Sequence, residues 1–223
     1  MRNQLAALAV LAATAGAASA EIPAGQVDLY YVPLADVEAS ISGLGSDGDH
    51  GDGFGARAAV SVLQGVIVTG EYQAIGYKDI EDDLTQYRIG AGLMGESGFG
   101  LLAEYIVADD AFEAEGYGAH LRFAGPMVYG QFGYIRLKDD DTDDDVGGYE
   151  FTLGALIPFS DALGAFVDVR RTGIGHDHSA FEVELTDVRA GVRFAFGGGG
   201  GAPAEPTEDV EVTEPAEVTD PAE

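Results

Sequence analysis

From Val27 to Phe196, apolar and polar residues alternate in segments of about ten, each followed by turn chemistry. Residues 54–62 show this most plainly. Phe54, Ala56, Ala58, Val60 and Val62 share one parity, while Gly55, Arg57, Ala59 and Ser61 share the other. In 85–94, Tyr87, Ile89, Ala91 and Leu93 oppose Gln86, Arg88, Gly90 and Gly92. Successive strand side chains point to opposite faces, so period two over this length specifies strands with one apolar and one polar or small face. A helix is a poor rival, because the recurrent glycines would each weaken a helix interior.

Continued along the chain, the pattern predicts ten strands, near 26–37, 54–63, 66–77, 84–94, 99–108, 116–124, 127–137, 148–158, 163–171 and 182–196. The first is the least regular, since Pro33 has no N–H to give a ladder. Four connections are tight: Gln64-Gly65, Gly95 to Gly98, Gly125-Pro126 and Phe159 to Ala162. Five are longer and mostly acidic: Ala39 to Gly53, Lys78 to Asp83, Asp109 to Glu115, Lys138 to Gly147 and Thr172 to Phe181. Short turns at one end and long loops at the other are the asymmetry of an up-and-down transmembrane barrel. An even strand number places both termini on the short-turn side.

Alternation alone does not say which face meets water, because a soluble sandwich alternates too. The charges separate the two cases. Ten basic residues follow the first twenty positions, and six of them, Arg57, Arg88, Arg122, Arg170, Arg189 and Arg193, lie on the polar parity inside strands. Glu71, Glu104, Glu150, Asp168 and His120 share that parity, whereas lysine occurs only at Lys78 and Lys138, both at strand ends. Arginines matched with carboxylates suit an enclosed lumen, where a planar fork can serve several acceptors. The other parity is free of charge across strand middles, and aromatics such as Tyr30, Phe99, Tyr117 and Phe194 gather towards segment ends, as interfacial girdles do.

The ends of the chain sharpen this picture. Arg2, the Ala/Leu stretch from Leu5 to Ala15 and Ala18-Ser19-Ala20 form a signal-peptide pattern, with cleavage expected before Glu21. No later apolar run is long enough for a spanning helix, so membrane insertion would have to use strands. Residues 197–223 begin with five glycines and continue in Ala, Pro, Glu, Thr and Val without a basic residue, the composition of a disordered tail. The chain has no cysteine, so an exported fold would hold together without disulfides. A formal charge of −28 argues against nucleic acid as a partner.

The strand from Asp187 alternates strictly and ends on Phe194-Ala195-Phe196. It resembles the terminal-strand signal by which the barrel assembly machinery recognises outer-membrane proteins. With the signal peptide and the hairpin repeat, residues 21–196 resemble the small porin-family and OmpA-like outer-membrane barrels. The resemblance implies lipid and lipopolysaccharide around the apolar band, short turns and the tail in the periplasm, and no enzymatic activity. OmpA-type barrels usually have eight strands, the alternative to the ten read here, and the peptidoglycan-binding domain that follows them has no counterpart in residues 197–223.

Candidate chemistry is sparse. Asp47, Asp49 and Asp52 in the first long connection, and Asp141, Asp143 and Asp145 in the fourth, offer oxygen ligands for weak Ca2+ or Mg2+ binding without the full pattern of a dedicated site. No other cofactor is implied. His176-Asp177-His178 is the rim motif suggestive of hydrolysis, but it and the few serines near the outer rim, Ser40, Ser42, Ser46 and Ser179, do not reproduce a nucleophile with base and orienter. The lumen residues allow two readings: ion pairs that fill a closed barrel contributing to envelope integrity and surface contacts, or a narrow charge-lined diffusion channel. The first is expected, because barrels near eight strands are filled by side chains.

Overall fold

The computed structural model describes residues 25–41, 45–79, 83–110, 113–139, 145–175 and 181–197. Ten strands follow one another: β1 (Gly25–Ile41), β2 (Gly45–Leu63), β3 (Val66–Tyr77), β4 (Leu84–Met94), β5 (Phe99–Asp110), β6 (Ala114–Ala124), β7 (Val128–Asp139), β8 (Asp145–Pro158), β9 (Leu163–Gly175) and β10 (Phe181–Phe196). Each pairs antiparallel with its sequence neighbour, and β1 pairs with β10 to close the barrel. The ten expected strands are all present, and the eight-strand alternative is set aside. The signal-peptide pattern, the tail beyond residue 197 and the His176–His178 motif lie outside the described residues.

The tight turns fall where the alternation breaks. Gly65 and Gly98 carry them with φ of 76° and 79°, a left-handed conformation that residues with a Cβ rarely adopt. One expected loop is corrected. The sequence predicts a connection from Ala39 to Gly53, yet β1 runs to Ile41 and β2 starts at Gly45, with Asp36 opposite His50, Glu38 opposite Gly48 and Ser40 opposite Ser46. The Asp/Gly composition of that stretch is poor for strands in isolation, but a long neighbouring strand supplies the ladder regardless. Pro33 marks a register shift between Tyr31 and Leu34 on the β10 side and between Val32 and Ala35 on the β2 side. There the inward parity steps by one: Tyr30 and Val32 are buried before it, Ala35 and Val37 after it.

The radial distribution of polarity is the reverse of a soluble protein's. Leu29, Phe54, Ile89, Leu93, Leu101, Tyr117, Leu121 and Phe132 lie on the outer surface, each at least 49% exposed. Asp28, His120, Glu150, Asp168 and Arg189 are at most 1% exposed and point inward. So large an apolar band would be strongly unfavourable in water and is at no disadvantage in hydrocarbon. The interior has two layers. Towards the long-connection end it is apolar, with Val32, Ala35, Val37, Ile75 and Leu84 in one cluster and Ile106, Ile135 and Leu137 in another. The charged residues lie below, in the middle of the barrel and towards the short turns.

Ile89 occupies the middle of β4, opposite Gly70 on β3 and Tyr105 on β5, and is 62% exposed. Ile89→Arg should lower stability in lipid vesicles by about 2–4 kcal/mol, read from the urea unfolding midpoint. A change within error would mean that this face does not meet hydrocarbon.

Candidate functional site: the charged interior

Register builds the ionic layer. Arg193 of β10, Asp28 of β1, Arg57 of β2, Glu71 of β3 and Arg88 of β4 are direct cross-strand partners in turn, so charge alternates in sign around nearly half the barrel. On the adjoining strands Asp168 stands opposite Arg189, and Arg170 opposite Asp187. Each pairing places opposite charges on the lumen face, where the wall admits no bulk water to solvate them singly.

The side chains then leave their rungs and cross the lumen. Asp28 accepts from Arg57 Nε at 2.6 Å and from Arg193 Nε and Nη2 at 2.8 and 2.9 Å. Arg170 donates to Asp187 at 3.0 Å, to Gln73 at 2.8 Å and to Glu71 at 3.0 Å, and Arg189 reaches the same Glu71 oxygen at 3.0 Å. Arg88 grips Glu150 of β8 with both arms of its fork, at 2.7 and 2.6 Å. Arg57 Nη2 lies 2.9 Å from Asp168 and donates to the Tyr129 hydroxyl at 2.8 Å. β2 and β7 are five strands apart in either direction round the ring, so this last bond spans a full diameter.

Two tyrosines complete the layer. Tyr30 donates to Glu71 at 2.8 Å, and Tyr129 to Asp168 at 2.6 Å. Their rings lie over inward glycines: a Cβ on Gly55 would stand 2.5 Å from the Tyr30 ring, and one on Gly154 2.4 Å from the Tyr129 ring. The Arg57 guanidinium packs over Phe166, 4.7 Å from the ring centre. The inward glycines therefore make room for aromatic side chains that fill the lumen.

Three of the expected lumen residues are held more loosely. Glu104 lies 3.7 Å from Arg88 and 3.2 Å from His120, on β5 and β6. Arg122 has no carboxylate within ion-pair distance among the described residues; it borders a cavity of about 50 Å³ together with Gln26, Glu104 and Gln131. Sequence reasoning missed Asp28, Asp187, Tyr129 and Gln73, and Tyr30, expected in an interfacial girdle, points instead into the lumen at 5% exposure. Parity could have found the first two, since Asp28 alternates with Val27 and Leu29, and Asp187 lies in phase with Arg189. With them, the six arginines of the layer face six carboxylates, where the sequence pattern had supplied four, Glu71, Glu104, Glu150 and Asp168.

Among the described residues, the acidic positions considered for cations do not converge. Asp49 is buried and accepts from the backbone N–H of Asp79 at 2.8 Å, while Asp52 points to the other face, where Tyr31 donates to it at 2.9 Å. Asp47 is exposed near the strand end, Asp145 accepts from Arg136 at 2.6 Å, and Asp141 and Asp143 lie outside the described residues. Phe194 and Phe196 sit at the short-turn end, facing Val27 and Gly25 of β1.

A closed antiparallel barrel with a paired ionic interior and an apolar exterior defines the class: a membrane-spanning β-barrel. No family model matches the chain, and no curated protein is detectably similar to it. Among solved structures it is similar to neisserial surface protein A, at 18% identity over 78% of this chain and 97% of that one, with a TM-score of 0.38. It is also similar to Ail, the attachment invasion locus protein of Yersinia pestis, at 14% identity over 76% and 99%, TM-score 0.34. A third is OccK11 of Pseudomonas aeruginosa, at 8% identity over 77% and 96%, TM-score 0.24. Likeness at this level says nothing of activity.

Neighbouring arginines test the energetics of the layer. Arg170→Met would leave the buried Asp187 without its arginine and Glu71 with one arginine of two, and should cost about 3–5 kcal/mol. Arg171, whose partner Glu184 is 29% exposed, should cost less than about 1 kcal/mol on the same change. Equilibrium unfolding of the two variants in one lipid system checks both figures. Equal losses would show that the interior pairs are solvated.

Proposed function

We propose that this chain is a non-enzymatic outer-membrane protein of a Gram-negative envelope, a closed barrel that contributes to envelope integrity and surface contacts. The observation that carries the reading is the Arg57–Tyr129 bond across the full diameter, embedded in pairs that also join β3 to β9 and β4 to β8. A solute entering the lumen would have to break several buried charge-assisted bonds at once, and the apolar layer above them offers no alternative path. The signal-peptide pattern and the terminal phenylalanines support delivery to the outer membrane by the assembly machinery. On this reading lipid and lipopolysaccharide surround the barrel, the acidic connections form the outer rim, and residues 197–223 hang in the periplasm.

Planar-bilayer recording of protein refolded from Glu21 onward, with insertion checked by heat-modifiable migration on a gel, tests closure. Correctly inserted protein is expected to be electrically silent. Replacing Arg57 and Arg170 together by alanine should open discrete conductance steps or destabilise the barrel. Ion-selective steps from the unaltered protein would overturn the closed reading and make the arginine layer a selectivity filter.

A further inference from the structure

Two lumen groups that the arginine network holds loosely, Glu104 and His120, sit beside one that it holds firmly, Glu150. Glu104 of β5, His120 of β6 and Glu150 of β8 each bring one ligand-type atom within 4.8 Å of the others. All three are buried, at 8%, 1% and 0% exposure. Both ring nitrogens of His120 and one oxygen of Glu104 have no hydrogen-bond partner. The 3.2 Å approach of His120 Nε2 to Glu104 Oε2 is thus close without the alignment of a bond. Polar atoms so enclosed are unfavourable unless something engages them.

The wall is shaped around this ring. A Cβ on Gly118 would stand 2.5 Å from His120 Nε2, and one on Gly133 would stand 2.5 Å from Nδ1. Glycine on both flanks leaves room for the imidazole against the wall, its two nitrogens buried and without a partner. We propose that Glu104, His120 and Glu150 bind one divalent first-row transition-metal ion, of the zinc class, inside the barrel.

An imidazole with two carboxylates suits such an ion, whereas Ca2+ and Mg2+ favour oxygen-only shells with more ligands. Arg88 is the competing cation, and its fork holds Glu150 at 2.7 and 2.6 Å. The same oxygens also accept longer bonds from Gln131 at 3.2 Å and Thr172 at 3.3 Å, and these are the ones a metal would displace. A ligating carboxylate hydrogen-bonded from behind is the common outer-shell arrangement, so Arg88 orients Glu150 towards the ion. The metal would join β5 and β6 to β8, where the arginine network is thinnest. The rival occupant is a proton on His120, shared with the two carboxylates.

The chain has four histidines, so replacing His50, His176 and His178 by glutamine leaves His120 as the sole imidazole. This variant, from Glu21 to Glu223 and labelled with 15N-histidine, is refolded in micelles with and without Zn2+, so that burial does not block entry. The expected result is a shifted ring-nitrogen resonance at one Zn2+ per chain, unmoved by about a hundredfold excess of Ca2+ or Mg2+. Glu104→Gln should weaken that binding by about tenfold or more. An imidazolium spectrum indifferent to Zn2+ would overturn the proposal in favour of the proton. Zn2+ uptake that leaves the ring unshifted, or that Ca2+ displaces, would overturn it in favour of the acidic connections. Conductance is read separately: a conducting barrel that binds Zn2+ overturns only the closed-lumen reading, and a silent one that does not bind overturns only the metal site.

Discussion

A charge on the inner wall of a narrow barrel has neither bulk water nor a mobile counterion to neutralise it, so its partner must come from another strand. Much of the interior follows from this requirement. It selects arginine over lysine, because one fork can satisfy acceptors on different strands, as Arg57 does with Asp28, Asp168 and Tyr129. It also demands a partner of opposite sign at neighbouring lumen positions, which the run from Arg193 through Asp28, Arg57 and Glu71 to Arg88 provides. Removing one member would leave the rest unbalanced, so the layer behaves as a unit rather than as a set of separate bridges.

On the reading proposed above, closure and stability are two consequences of one arrangement. Bonds that neutralise the arginines also cross the lumen, and the tyrosines that finish the hydrogen bonding need glycines opposite them to fit. Above this layer the inward side chains become aliphatic, centred on Ile75 and Ile106, each 1% exposed. Ionic groups fix register, since a slip of one residue would turn every charge on a strand towards lipid. Aliphatic groups pack the remaining width without asking for partners. Among the described residues, the β5–β6 side departs from this pattern, where Glu104, His120 and Arg122 are less fully engaged.

Strand number, order and the facing of many strand residues were legible in the sequence, because a barrel's pleat converts parity directly into inside and outside. Arg57, Arg88, Glu104 and Glu150 could be assigned to the lumen without coordinates for that reason. The first hairpin was misjudged at residues 39–53, because Asp and Gly carry a loop signal that pairing with a long neighbour overrides. The register step beside Pro33 was visible only as an irregularity, and its effect, moving the inward set from Tyr30 and Val32 to Ala35 and Val37, needed both neighbouring strands.

What the sequence by itself determined is therefore the alternation, the antiparallel order of the ten strands and most of the charged positions on the inner face. These depend on backbone geometry that repeats every two residues. Only the tertiary structure decided which arginine meets which carboxylate, that Arg57 reaches Tyr129 across the diameter, and that His120 lies between Gly118 and Gly133 beside Glu104. Those choices depend on strand stagger and on the reach of long side chains across a lumen, and the linear pattern encodes neither distance.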